Sequence, residues 1–306
     1  MRAVVLSEPG GPERLEVQDV PEPQAQQGQV LIDVRAAGIN FADVLVRQGR
    51  YPQPPPLPTI LGSEVAGEAD GLRLMAFTRQ TGGGYAQRVA VDEEWVVPLP
   101  EAATFEEGAS FLLTFLTAWI PLTRQARVQD GTTVLVHAAA GGVGSAAVQV
   151  ARHLGARVVA TAGSDEKRRI ALDLGAEEVY AYDTFAEQVR ANVVFDPVGG
   201  DVFSASLRTL EPLGVLIGIG FAGGQWQPVD PALLVGRNVG VQGFYLGRLM
   251  AREPHLVRPA IEEILELWRG GAVKPLVGAA FPLERAPDAH RLLEERRSYG
   301  KVVLVP

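Results

Sequence analysis

Apolar and polar residues alternate through the first part of the chain, and the pattern changes to buried runs and helical stripes in its middle. Val4 and Leu6, Leu15 and Val17, then Val30, Ile32 and Val34 occupy every second position, the period of a strand with one buried face. Residues 2 to 37 therefore predict a small, mostly antiparallel sheet, with PEPQAQQGQ as a turn-rich connection. From Ala36 to Tyr51 the period lengthens, and Phe41, Val44, Leu45 and Gln48 share one helical face before Gly49 breaks the pattern. Five prolines between residues 52 and 58 exclude regular structure, so an ordered loop leads to a strand at Val65. Alternation returns at Ala86 to Val91, after Gly82-Gly83-Gly84-Tyr85. Thr104 to Arg124 predicts a long apolar helical region joining this part to the next. The last residues, Lys301 to Val305, predict a strand that closes the first sheet.

The middle of the chain follows another rule. Thr132 to Ala138 is a short β-branched and apolar run, as in a strand buried on both faces, and it enters a turn at Gly141, Gly142 and Gly144. Val143, Ala147, Val150 and Leu154 then recur at helical spacing until Gly155 and Ala156, and Arg157 to Ala162 supplies a second strand. Strand, turn, helix and strand make one βαβ unit. Further runs at Val179–Tyr182, Val193–Val198, Val215–Ile219 and Asn238–Leu246 predict a doubly wound parallel sheet of about six strands. Pro254 to Arg269 predicts the longest helix, with Leu256, Ala260, Ile264, Leu267 and Trp268 as its core stripe.

The glycine turn points to phosphate chemistry. A helix N-terminus offers unpaired N–H groups and partial positive charge, and residues without Cβ let a pyrophosphate approach the backbone. Ala139 stands where the first glycine of G-x-G-x-x-G would be, leaving Gly141 and Gly144 as the second and third. An ordinary strand-to-helix turn is the other reading, but the strands on either side at dinucleotide spacing favour a cofactor site. At the end of the second strand an acidic residue would accept bonds from the ribose 2′-hydroxyl of NAD, and here Gly163 stands in that place. NADP is therefore favoured, with Lys167 and Arg168 as candidate partners of its 2′-phosphate; with Asp165 and Glu166 beside them they could instead form a solvated helix face. Tyr182, Asp196-Pro197-Val198-Gly199-Gly200 and Gly218-Ile219-Gly220-Phe221 fall at other strand ends, where ligands bind such sheets.

Composition narrows the class further. A chain of 306 residues with 47% hydrophobic and 21% charged residues has the size and balance of two soluble domains. No apolar run approaches the length of a membrane span, and a net charge of −8 argues against nucleic acid as the main partner. Zero cysteines exclude disulfides and thiolate metal sites and suit a cytoplasmic protein. His137, His153, His255 and His290 are scattered, so no compact zinc ligand set is expected.

Asn40, Asp43, Arg47, Gly49 and Tyr51, followed by GSEVAG and later by AAAGGVG, resemble the zinc-free quinone oxidoreductase, or zeta-crystallin-like, branch of the medium-chain dehydrogenase/reductase superfamily. The resemblance runs over essentially the whole chain. It implies an α/β protein: a GroES-like, mainly antiparallel β substrate domain from residues 1–118 and 254–306, and a doubly wound Rossmann domain from 119–253, with NADPH in the cleft between them. It implies hydride transfer from NADPH to a quinone or another conjugated carbonyl acceptor, and a homodimer formed at the sheet edge near Asn238 to Leu246. Enone or 2-enoyl thioester reduction, or non-catalytic NADPH binding, are the alternatives.

The resemblance makes Tyr51 and Asn40 the catalytic candidates. Tyr51 is a phenol that could donate to the acceptor or simply pack against the proline run. Asp43 is expected to hold local backbone or pair with Arg47. The implied cofactor-binding residues are Asn40, Thr117, Ala140, Gly141, Gly142, Val143, Gly144, Gly163, Ser164, Lys167, Tyr182, Gly220, Phe221, Phe244 and Arg296. Of these, Tyr182 and Arg296 are matched to the adenosine phosphate and Thr117 to the nicotinamide, although Thr117 could equally bond its own helix and Arg296 could be merely solvated. Departures are equally specific. Ser63 replaces the histidine of the zinc enzymes' Gly-His-Glu, Pro197 and Phe221 replace polar residues of some members, and residues 68–78 look shorter than the family stretch.

Overall fold

The structure is a computed structural model describing residues 1–78 and 82–306. Its contacts divide into two compact units, Met1–Leu113 with Pro275–Pro306, and Thr114–Lys274, where sequence suggested divisions after residues 118 and 253. The first stretch contains β1 (Arg2–Leu6), β2 (Leu15–Asp19), β3 (Gln29–Ile39), α1 (Phe41–Arg47), β4 (Thr59–Ile60), β5 (Glu64–Ala69), β6 (Leu72–Phe77), β7 (Arg88–Asp92), β8 (Val96–Pro98) and α2 (Phe105–Gly108). The helix α3 (Leu112–Ile120) precedes β9 (Thr133–Val136), α4 (Gly142–His153), β10 (Arg157–Thr161), α5 (Asp165–Asp173), β11 (Glu178–Tyr180), α6 (Phe185–Gln188) and β12 (Ala191–Asp196). Next come α7 (Gly200–Leu207), β13 (Leu210–Gly218), α8 (Pro231–Arg237), β14 (Gly240–Gly243), α9 (Leu246–Arg252) and α10 (Pro254–Arg269). Finally β15 (Val277–Pro282), α11 (Ala286–Glu294) and β16 (Lys301–Val305) rejoin the first unit.

In the first unit the alternating residues do what their period requires. The main sheet runs β15-β16-β3-β5-β6-β8, with β7 on the opposite end of the long β3, and β2-β1-β4 forms a smaller sheet. Every pair is antiparallel except β15 with β16. Inward residues such as Leu6, Ile32, Val34, Ile39, Leu61, Val65, Val302 and Leu304 make one apolar core. The β5–β6 hairpin closes on Asp70 and Gly71, both at positive φ (49° and 78°), as a two-residue hairpin turn requires. The apolar region from Thr104 is interrupted: Ala109 to Phe111 separate α2 from α3. After α3 the chain widens at Pro121, whose carbonyl accepts from the Ala126 N–H five residues on.

The second unit is a wholly parallel sheet in the order β11-β10-β9-β12-β13-β14. The runs Val134–Val136, Val158–Thr161 and Val193–Asp196 are buried, because helices cover both faces of a doubly wound sheet. Strand order reverses between β9 and β12, which opens a crevice at their carboxyl ends. The helix α10 has the expected ends and buries Ala260, Ile264 and Trp268 of the expected stripe, with Val257, Ile261 and Leu265 beside them in place of Leu256 and Leu267. Leu256 is 48% exposed. Steps of four residues drift by about 40° per step on a helix of 3.6 residues per turn, so a stripe must mix steps of three and four. Among the described residues no helix is long and apolar enough to cross a membrane.

Candidate functional site

In the second unit the chemistry gathers at the carboxyl edge of the sheet. After β9, Ala138 takes a positive φ of 51° and turns the chain into α4. The turn is held by Gly141 N–H to Ala138 O (2.8 Å) and by Ala139 N–H to Thr161 O (3.1 Å). A Cβ on Gly144 would overlap the Ala138 carbonyl, so the first turn of α4 packs directly on the strand exit. No side chain caps α4 at Gly141, and Gly141, Gly142 and Val143 are half-buried whereas Ala140 and Gly144 are buried. The first N–H groups of a helix have no partner within the helix, and here they belong to a turn with almost no side-chain bulk.

The neighbouring strand ends converge on this turn. The Tyr182 hydroxyl accepts from Ala138 N–H (3.1 Å), and its ring is the closest group, at 4.0 Å, to a Cβ built on Gly163. Gly163 is exposed after β10, and Ser164 caps α5 by accepting from Lys167 N–H (3.3 Å). Burial depresses the pKa of Lys167, partly offset by Glu166. Arg168 turns back to pair with Asp165. Beyond β12, the Asp196 carboxylate accepts from Val198 N–H (2.7 Å) and Gly199 N–H (3.0 Å), and burial raises its pKa to about 6. Gly199, at φ 69°, packs within 3.3 Å of the Gly220 carbonyl and 3.1 Å of Phe221 Cα, measured from an ideal Cβ. The Phe221 ring lies 5.0 Å from that of Trp226, tilted by 50°, and Phe244 follows β14 with its N–H on Gly218 O (3.0 Å). Thr117 is buried in α3.

The first unit carries a polar cluster that sequence reading found only in part. The antiparallel registers of β16, β3 and β5 set Val302 opposite Ile39 and Gly38 opposite Glu64, so Lys301, Asn40 and Glu64 end up side by side. The Lys301 ammonium donates to Ile39 O (2.9 Å), Asn40 Oδ1 (2.5 Å) and Glu64 Oε1 (2.7 Å). Asn40 Nδ2 donates to Ser63 Oγ and Glu64 Oε1, both at 3.2 Å, and Glu64 Oε2 accepts from Leu113 N–H (3.2 Å).

Asn40 also caps α1. Asp43 Oδ2 accepts from Asn40 N–H (2.8 Å) and from the Tyr85 hydroxyl (2.9 Å), so Asp43 holds local backbone as expected. Burial lifts the Asp43 pKa to about 6 against the pull of the Asn40 N–H, Tyr85 and Lys301. Burial, with the Asp43 charge, also raises Tyr85. Arg47 does not pair with Asp43. It reaches Glu294 (2.5 Å) and Gly10 O (2.6 Å), because its place in the last turn of α1 directs it toward α11. His290 lies 3.4 Å from the Tyr85 hydroxyl, and burial, helped by the Arg47 charge, lowers its pKa to about 3. Tyr51 is half-buried on the edge of the same apolar core. Arg296 follows α11 with φ 55° and is exposed, in a different compact unit from Tyr182.

Tyr85, Glu64, Lys301 and His290 were not singled out from sequence. A lysine within an otherwise apolar final strand is the one signal that could have found the cluster, since a buried ammonium needs a partner. Among the described residues no group of histidine, aspartate and glutamate could hold a metal ion.

The comparisons with known proteins agree with this architecture. Residues 26–73 match the alcohol dehydrogenase GroES-like domain family and residues 142–266 the zinc-binding dehydrogenase family. Quinone oxidoreductase-like protein 2 of Rattus norvegicus is 36% identical over 323 residues, covering 99% of this chain and 91% of its own. The quinone oxidoreductase of Thermus thermophilus, solved alone and with NADPH, is 41% identical with a TM-score of 0.90, covering all of both chains. The Escherichia coli quinone oxidoreductase, solved with NADPH, is 29% identical with a TM-score of 0.93, again covering all of both chains. The chain belongs to the medium-chain dehydrogenase/reductase superfamily, within its zinc-free quinone oxidoreductase branch.

Proposed function

We propose that this protein is an NADPH-dependent oxidoreductase that reduces a quinone or a related conjugated carbonyl compound without zinc. The observation that carries the reading is the bare glycine turn beside a second strand followed by Gly163, where a carboxylate would otherwise stand. The residues fit a dinucleotide: Gly144 admits no Cβ, α4 has no side-chain cap, and Gly163 is exposed with only the Tyr182 ring, 4.0 Å from an ideal Cβ, beside it. Ala140, Gly141, Gly142, Val143 and Gly144 would hold the pyrophosphate through backbone N–H groups. Within the second unit, Gly163, Ser164, Lys167 and Tyr182 would hold the adenosine phosphate, and Thr117, Gly220, Phe221 and Phe244 the nicotinamide end. Bound there, NADPH supplies a hydride.

The remaining work belongs to the chain: to orient the acceptor, exclude water and stabilise negative charge on the acceptor oxygen. Tyr51 is assigned as a donor to that oxygen. Tyr51→Phe should lower turnover of an enone on the order of a hundredfold, the loss typical of one removed oxyanion donor, with NADPH affinity nearly unchanged. Quinone turnover should fall much less, since a quinone is already strongly electrophilic. An enone rate equal to that of the unmodified protein would reduce Tyr51 to packing.

The function itself is tested by following NADPH absorbance with a quinone, an enone, an enoyl thioester and, with NADP⁺, a primary alcohol. Quinone or enone turnover supports the reading; turnover confined to the alcohol rejects it.

A homodimer is part of the same reading. Among the described residues the outer edge of β14 has no partner strand, and Leu213, Val235 and Tyr245, in or beside its neighbouring elements, are exposed at 89%, 78% and 46%. A two-fold axis would let two such edges pair. Sedimentation should give the mass of two chains at micromolar concentration, and a monomer there would count against it.

A further inference from the structure

The buried cluster of the first unit reaches solvent at one end. Asn40, Glu64 and Lys301 are 8%, 1% and 4% exposed, whereas Ser63 is only half-buried. Hydrogen-bond direction along the cluster is dictated by its first member. An ammonium can only donate, so the atom of Asn40 facing Lys301 is the carbonyl oxygen and the atom facing Ser63 is the amide nitrogen. The two amide hydrogens are then used on Ser63 Oγ and Glu64 Oε1, and Asn40 retains none for a substrate. Ser63 Oγ accepts one of them, and among the described residues nothing accepts the Ser63 hydroxyl hydrogen in turn.

The backbone that carries Ser63 is pinned as well. Its carbonyl accepts from Thr78 N–H (3.0 Å), the preceding Gly62 carbonyl accepts from Thr78 Oγ1 (2.7 Å), and Gly62, at φ 93°, lies against the Tyr85 ring where no Cβ fits. A row of donors, Lys301 to Asn40 to Ser63, thus points one way and ends on a hydroxyl held in a set place. Glu64 balances the Lys301 charge, and what the row leaves at its outward end is a hydroxyl hydrogen directed to an oxygen that gains charge.

The geometry points to Ser63 as a catalytic hydroxyl that donates to the acceptor's oxygen as charge develops there, with Asn40 and Lys301 as its positioning residues. This assignment rests on the hydride transfer proposed above. When hydride adds to the electrophilic carbon of an enone, the π electrons shift and the carbonyl oxygen takes the negative charge. Ser63 donates a hydrogen bond to that oxygen and keeps its proton. Water then protonates the enolate, so the products are the saturated ketone and the oxidised nicotinamide. Ser63 takes the donor role for which Asn40, with both amide hydrogens used, has none left.

The test compares Ser63→Ala and Ser63→Thr with the unmodified protein, measuring kcat and KM with a cyclic enone, the NADPH Kd by fluorescence and the melting temperature. Ser63→Ala should lower kcat by roughly 10- to 100-fold, on the order found for removal of an oxyanion donor. The NADPH Kd should stay within about twofold, and Ser63→Thr, which keeps the hydroxyl, should recover most of the rate. An unchanged kcat in Ser63→Ala overturns the assignment. So does a rate loss that appears as weaker NADPH binding, or one that Ser63→Thr fails to restore at an unchanged melting temperature. If the unmodified protein turns over none of the acceptors, the proposed function falls and this inference with it; an active protein indifferent to Ser63→Ala removes the inference alone.

Discussion

Gly163→Asp is expected to weaken NADPH binding about a thousandfold while leaving NADH binding intact or improved. Gly163 stands just beyond the second strand of the parallel sheet, which ends at Thr161, and Ser164 and Lys167 open the helix that follows. An aspartate at this position would stand against the 2′-phosphate and offer its oxygens to a free 2′-hydroxyl instead. Two like unit charges ~4 Å apart near a protein surface repel by ~4 kcal/mol, which is roughly a thousandfold in Kd. The fold should accept the change, because the nearest group to the new Cβ is the Tyr182 ring at 4.0 Å, in ordinary contact. Lys167 adds to the preference: its partly desolvated ammonium, with a depressed pKa, gains from a dianion beside it. Fluorescence titration of both proteins with NADPH and NADH measures the effect. Equal affinities for the two cofactors in the unmodified protein, or an unchanged NADPH Kd in the variant, would overturn the cofactor assignment.

Lys301→Met is expected to cost about 3 to 5 kcal/mol of stability, the range for breaking a buried ion pair from one side. Methionine fills the space of the lysine stem, so the loss is not one of packing. It comes from Glu64, 1% exposed and left without its cation, and from the Ile39 carbonyl and Asn40 Oδ1, left without their donor. A change of that size should lower the melting temperature by roughly 10 °C, taking about 2–4 °C per kcal/mol for a domain of this class. Adding Glu64→Gln removes the stranded charge, so the double variant should melt higher than Lys301→Met alone. The Glu64 contact to Leu113 N–H survives in that variant if the amide oxygen takes it. A Lys301→Met protein that melts within a degree of the unmodified one would show that the pair contributes nothing.

Much of the architecture was legible because it depends on period. Alternation at Val4 to Val34 predicted the antiparallel sheet, and the unbroken apolar runs after Thr132 predicted strands buried on both faces; both are present. The ends of α10 were also legible, since Pro254 begins it and Gly270 follows it. Of its expected stripe Ala260, Ile264 and Trp268 are buried, whereas Leu256 is exposed beside the buried Val257, because only the neighbours on the far side of the contact decide which of two adjacent residues turns inward. The long helical region from Thr104 divided at Ala109 for a similar reason. The Ala109 carbonyl lies so close to Gly38 that a Cβ there would overlap it, and the path of the chain follows that approach rather than helical preference.

The candidate site divides in the same way. The glycine turn at Gly141 to Gly144, the missing acid at Gly163 and the lack of cysteine are local properties, carried by residue type and spacing, so the sequence by itself determined them. The positions of Lys301, Glu64 and Ser63 around Asn40 are not local. They depend on strand register, which joins residues 261 positions apart in a single hydrogen bond, and no short pattern encodes such a pairing. Sequence therefore proposed Asn40 as a donor, and only the tertiary structure showed its amide hydrogens already taken, with Ser63 as the outward end of the row. The physical reason is burial. A side chain removed from water must satisfy its hydrogen bonds within the protein, and which groups remain for a ligand is decided by what the fold places against it.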